Sequence, residues 1–129
     1  MIRGIGVDSA SISEMRRLLE GLGSSFVPRV FTERERAAAP QDPDRAAEFF
    51  ADHFAVKEAV FKAVAHLLPE HTFDLRIVES LNHGDGSPYV NVTPELAPIL
   101  ERAGVRTIHV SVTNEADLAT AFVVATDEA

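Results

Sequence analysis

Between residues 48 and 65 the chain carries a helical stretch with almost no polar side to turn toward water. Phe49, Phe50, Phe54, Val56, Val60, Phe61 and Val64 spread around its whole circumference. A helix that is apolar on nearly all sides is stable only at the centre of a fold, covered by other elements. Asp42 suits the N-cap of this helix and Pro43 its first position, and the pattern runs to about Leu68. The rest of the chain must wrap it.

The flanking segments read as that wrapping. Residues 2–7 are apolar and end at Asp8, which predicts a first strand. Ser11-Ile12-Ser13-Glu14 is a capping-box pattern opening a short amphipathic helix that stops near Gly21 or Gly23. Thr32-Glu33-Arg34-Glu35 is a second such box, opening a brief helix through the alanines. Phe73, Leu75 and Ile77 alternate with polar neighbours, residues 82–87 carry turn residues, and residues 88–92 form a further apolar run, so the reading is a hairpin. Thr93-Pro94-Glu95 starts another helix, ended by Gly104. Residues 106–113 alternate with period two, and residues 118–125 are apolar on both faces, as a central strand would be. The order predicts an α+β fold, an antiparallel sheet packed on a long buried helix. At 129 residues it forms one domain, 1–129.

Composition narrows the function. The absence of cysteine excludes a disulfide framework, a thiolate metal site and a cysteine nucleophile, and is compatible with a cytoplasmic protein. No apolar run approaches the roughly 18 residues of a membrane span, and the first residues lack a signal-peptide pattern, so no membrane association is expected. A net charge of −8 argues against nucleic acid. That charge is uneven. Residues 1–36 hold six Arg against five acids, and the remainder six basic residues against fifteen acids. An anionic partner would dock near the N-terminal part, where Arg16 and Arg17 are the obvious contacts, although a solvated helix face accounts for them equally well.

The chemistry concentrates in Phe54-Ala55-Val56-Lys57-Glu58-Ala59-Val60-Phe61-Lys62, where three charges sit inside the most apolar helix. Glu58 and Lys62 are four apart and share a face. Burying charge is costly unless it is paired or binds something, so a structural salt bridge is the plain alternative. The chain has ten Arg but only two Lys, both in this segment. An ammonium is a compact charge that approaches a phosphate differently from a planar guanidinium. Asp8, at the end of the first strand, is either a helix cap or a carboxylate that joins Glu58 in holding Mg²⁺, an ion that takes one or two carboxylates plus substrate phosphates. The five His show no zinc spacing, and the glycines form neither a P-loop nor a dinucleotide fingerprint.

At these residues the chain resembles the small holo-acyl-carrier-protein synthase type of phosphopantetheinyl transferase. Gly4-Ile5-Gly6-Val7-Asp8 is similar to that family's GxGxD opening, and Phe54-Ala55-Val56-Lys57-Glu58-Ala59, followed by Lys62, to its FAAKEA signature. Val30-Phe31-Thr32-Glu33-Arg34-Glu35, Gly86-Ser87-Pro88-Tyr89-Val90 and Val110-Ser111-Val112-Thr113-Asn114-Glu115 resemble further family segments in the same order. The resemblance implies Mg-dependent transfer of 4′-phosphopantetheine from coenzyme A to a serine of an apo-acyl carrier protein in fatty-acid or polyketide synthesis. It implies Asp8 and Glu58 as metal ligands, Glu58 and Lys62 as catalytic groups, and Arg45, His53, Lys57, Lys62 and Asn114 as coenzyme A contacts. It also implies Arg16 and Arg17 as carrier-protein contacts, and a homotrimer with sites at the interfaces.

The chain departs from the family pattern in four places. His53 stands for Arg, Ser87 for Lys and Asn114 for His, and residues 65–69 lack a glycine-rich turn. Three of these changes remove a phosphate-binding charge or backbone flexibility. They keep open two other readings, a family fold acting as a dehydratase or isomerase on carrier-bound chains, and a non-catalytic carrier-binding module.

Overall fold

The computed structural model describes the backbone of residues 1–129 and every side chain except those of residues 22–24. Five strands and four helices follow one another along it: β1 (Ile2–Ser11), α1 (Ile12–Val30), α2 (Glu33–Ala38), α3 (Pro43–Val64), β2 (Glu79–Asn82), β3 (Pro88–Asn91), α4 (Leu96–Ala103), β4 (Thr107–Glu115) and β5 (Leu118–Thr126). β1, β5 and β4 form an antiparallel sheet in that spatial order, and β2 and β3 form a separate hairpin. The architecture is α+β, with α3 at its centre.

The apolar circumference of α3 explains this arrangement. The sheet covers one side of it through Ala119, Ala121, Val123 and Ala125 of the central strand β5, all fully buried. α1 and the turn after it cover another side with an aromatic cluster, in which Phe31 meets Phe50 edge-on at 4.8 Å and Phe26 lies against Phe54. Asp42 caps α3 by accepting from the Arg45 amide, with Pro43 in the first turn. Thr32 and Glu35 form a reciprocal capping box on α2. Gly104, at φ 72°, closes α4 in the left-handed conformation that glycine adopts without strain.

β1 lies against α3 by backbone contact. A Cβ on Gly6 would fall 1.9 Å from the Ala59 carbonyl oxygen, and one on Gly4 would fall 1.9 Å from that of Ala63. Gly4, Gly6 and Asp8 share one face of the strand because side chains alternate. The two glycines therefore bring Asp8 down onto the C-terminal half of α3.

Three expectations are corrected. α1 continues past Gly21 and through Pro28 to Val30, because Phe26, Val27 and Val30 keep its apolar face packed on the core; Gly23, the alternative stop, falls among the residues whose side chains lie outside the description. The segment holding Phe73, Leu75 and Ile77 is not a strand. Asp74 accepts from the Arg76 amide at 3.0 Å and starts a 3-10 turn over Leu75–Ile77, while Phe73 and Ile77 still rest on the core. The true partner of β3 is β2, Glu79-Ser80-Leu81-Asn82, whose buried residues include a carboxylate and a hydroxyl. Finally, β5 is central but covered on one face only: Leu118 and Phe122 are 47% and 49% exposed.

Candidate active site

Two clusters of chemical groups form along α3, about one and a half turns apart, or roughly 8–9 Å at the helical rise. The first is Asp8, Glu58 and Lys62. Asp8 is a mid-strand residue, not a helix cap; Ser11 caps α1 by accepting from the Glu14 amide. The Asp8 carboxylate accepts from Lys62 Nζ at 2.8 Å, and the same ammonium donates to the Val7 carbonyl at 3.2 Å. Glu58 lies one helical turn before Lys62, half-buried. Its burial, and then the nearby Asp8 charge, push its carboxyl above the ordinary range, with Lys62 opposing. The hydrogen bond from Lys62 to Asp8 in turn holds that ammonium above the usual lysine range.

Two mutually repelling carboxylates beside open solvent suit a divalent cation, whose charge relieves the repulsion. Among the described residues no group of three or more His, Asp or Glu could hold a metal. A pair fits Mg²⁺, which keeps open positions for substrate phosphates, better than an all-protein cage.

The second cluster lines a cavity of about 200 Å³ formed by Asp52, His53, Val56, Asn82, Gly86, Pro88, Val112 and Asn114. Asn114 Nδ2 donates to Asp52 Oδ1 at 2.6 Å. Burial raises the Asp52 carboxyl above its usual range against that hydrogen bond. His53 is buried, with Nδ1 2.7 Å from Ser80 Oγ. Burial, and then the Lys57 charge, lower its pKa to about 4, so it is neutral near pH 7. An adjoining open cleft of about 320 Å³ shares Asp52 and Asn82 and is bordered by exposed Arg45 with Glu48 and Phe49.

The remaining expected residues lie elsewhere. Arg16 is half-buried and paired with Glu20 at 2.7 Å and with Asp44. Arg17 is exposed on α1 near Asp117. Lys57 has no exposed surface. Its ammonium bonds Glu35 Oε1 at 2.9 Å and the Val78 carbonyl oxygen, so its charge is already satisfied inside the protein. Glu35 and Asp52 were not read as site-forming from the sequence. A lysine inside an apolar helix signals a buried carboxylate partner, but a sequence separation of 22 between Glu35 and Lys57 leaves that partner anonymous.

Comparison with known proteins agrees with this geometry. Residues 4–123 match the model of the 4′-phosphopantetheinyl transferase superfamily. The holo-[acyl-carrier-protein] synthase of Methylobacterium nodulans is 38% identical over 128 residues, with 96% of each chain covered. The crystal structure of the holo-[acyl-carrier-protein] synthase from Neisseria meningitidis superposes with a TM-score of 0.83 at 32% identity, covering 98% of this chain and 99% of that one. That from Bacillus anthracis, in complex with CoA (3',5'-ADP), gives a TM-score of 0.71 at 28% identity over 97% and 96% of the two chains. With the glycine-backed Asp8 paired to Lys62 beside Glu58 and the matching architecture, the chain belongs to the 4′-phosphopantetheinyl transferase superfamily.

Proposed function

We propose that this protein is a holo-acyl-carrier-protein synthase, transferring 4′-phosphopantetheine from coenzyme A to a serine of an apo-acyl carrier protein. The observation that carries the reading is the convergence of Asp8, Glu58 and Lys62 where β1 meets α3, in a chain whose relatives bear that name.

Asp8 and Glu58 are the residues that would hold Mg²⁺, which when bound supplies positive charge to the coenzyme's pyrophosphate oxygens. Glu58 accepts the serine proton. Burial and the neighbouring Asp8 charge raise its pKa, which makes it a stronger base than a surface carboxylate. The serine oxygen forms a bond to the β-phosphorus, and the bond from that phosphorus to the oxygen of adenosine 3′,5′-bisphosphate breaks. Lys62, half-exposed beside Asp8, offsets charge on the departing phosphate. Arg45 and the Asp52–His53–Asn114 cavity offer contacts for the rest of the coenzyme. With His53 neutral, those contacts are weaker for an anion than a cation would provide. Arg17 is free to meet an acidic carrier protein, while Arg16 would first leave Asp44 and Glu20.

The outer sheet face exposes Ile5, Val7, Leu118 and Phe122, each about half accessible, which supports a homotrimer that covers it. A monomer in sedimentation at micromolar concentration refutes that assembly. The activity is tested by incubating the protein with coenzyme A, Mg²⁺ and an apo-carrier protein and reading intact mass. One phosphopantetheine per carrier is expected, and an unmodified carrier with folded enzyme overturns the reading.

A further inference from the structure

The Glu35 carboxylate, fully buried, ties three separate segments together. Its Oε1 accepts from Lys57 Nζ at 2.9 Å and from the Thr32 amide at 2.7 Å. Its Oε2 accepts from the Ser80 amide at 2.8 Å and from Lys57 Nζ at 3.2 Å. Lys57 Nζ also donates to the Val78 carbonyl oxygen and lies 5.7 Å from the centre of the Phe31 ring. One turn earlier on α3, His53 Nδ1 bonds Ser80 Oγ. Two successive turns of α3 are thus fastened to β2 and its approach by directional polar bonds.

The opposite face of the helix is fastened as well. Ala59 and Ala63 press their carbonyls onto Gly6 and Gly4. At 100° per residue, position 59 lies about 200° around the helix from position 57, and Glu58 falls between them. The two fastenings together resist rolling of α3 about its axis. Rolling is the motion to which Glu58 is most sensitive: at a side-chain radius of about 6 Å, a roll of about 10° moves its carboxylate by about 1 Å. A misplacement of that size can cost about a hundredfold in rate. Apolar side chains would keep α3 in the core but would not lock its rotation, and fixing register is the best-attested use of a buried polar pair.

We propose that Glu35 and Lys57 are positioning residues for the transfer reaction, locking the rotation of α3 so that Glu58 meets the carrier serine. The inference rests on the reading of Glu58 as proton acceptor. Lys57→Met alone strands a buried carboxylate and is a poor probe. The informative variants are Lys57→Met with Glu35→Gln, which removes both charges at similar volume, and Glu35→Asp, which keeps the charge but shortens the arm. The readouts are kcat and the KM for coenzyme A, with thermal unfolding alongside. In either variant that folds, kcat falls about 10- to 100-fold while KM stays within about threefold. A folded variant with kcat within twofold of native overturns the inference, as does a joint loss in kcat and KM that follows the loss of folded protein. Glu58→Gln in parallel separates the two readings. If it remains active, the assignment of Glu58 fails; if it is inactive while both Glu35 variants turn over normally, only the positioning role fails.

Discussion

The chain's two lysines lie five residues apart on one helix and meet opposite fates. Lys57 has no exposed surface, and its ammonium is satisfied by Glu35 and a backbone carbonyl. Lys62 is half exposed, and its partner Asp8 is itself 20% exposed. Burial sets the difference. A closed ion pair has every bond already made and fixes geometry, whereas an open one can exchange its partner for a substrate. The surrounding carboxylates follow the same division, with Glu35 enclosed and the Asp8–Glu58 pair left facing solvent. A charge in an apolar helix is therefore not by itself a sign of catalysis; its access to a ligand is.

The sharpest way to break this contrast is to neutralise each side in turn. Glu58→Gln and Asp8→Asn should each lower kcat/KM by about 10³-fold, within the span attributed to acid–base groups and metal ligands, with melting temperatures near native. A Glu58→Gln enzyme keeping a tenth of native activity would place the proton acceptor elsewhere. Lys57→Met should instead unfold the protein more easily, by about 3–5 kcal/mol in urea titrations, because it leaves Glu35 buried and uncompensated. Lys62→Met should cost under about 1 kcal/mol, being half in water. Equal losses from the two lysine variants would erase the distinction.

The pH dependence sharpens it further. His53 has its pKa lowered to about 4 by burial and Lys57, against an ordinary value of 6.5. The unfolded chain therefore binds more protons between those values, and stability rises with pH across that window. The contribution is fully present above about 6.5 and is lost as pH falls toward 4, amounting to about 2–3 kcal/mol between pH 7.5 and 4.5. Urea titrations of native protein and His53→Gln should differ by that much in their pH dependence; parallel curves would mean that His53 titrates normally. Glu58 moves the other way. Its raised pKa places the acid limb of kcat/KM above the ordinary carboxylate value of about 4.3, with activity lost as pH drops through it. The smallest effect belongs to Ser87→Lys, next to the cavity-lining Gly86 and Pro88. An added cation there should lower the KM for coenzyme A about threefold at unchanged kcat, and an unchanged KM would show that the hairpin does not meet the coenzyme's phosphates.

Much of the frame was legible in the sequence. The encircling phenylalanines and valines of α3 placed it in the core, and Asp42-Pro43 marked its start. The pairing of Asp8 with Lys62 was not legible, since they stand 54 positions apart. Their meeting depends on Gly4 and Gly6, whose packing role appears only against Ala59 and Ala63. β2 was missed because Glu79 and Ser80 look like solvent residues until their partners are known: Glu79 accepts from Thr32 and Asn91, and the Ser80 amide donates to Glu35. The alternation at Phe73, Leu75 and Ile77 was real as a burial pattern, yet Asp74 had already committed the backbone to a turn. The Asp52 that holds Asn114 is a helix residue that neither period nor charge marks in the sequence.

The glycine contact between β1 and α3 also sets how the site can change over time. A pair of elements separated by side chains can be respaced gradually, a methylene at a time. Here the spacer is the main chain itself, with a carbonyl lodged where any Cβ would go. The span between strand and helix at Asp8 has no intermediate settings, so substitutions in the surrounding core can alter overall stability without retuning the carboxylate pair. Variation in substrate preference must then arise away from that contact, in the Asp52 cavity and the β2–β3 hairpin, where side chains still define the walls.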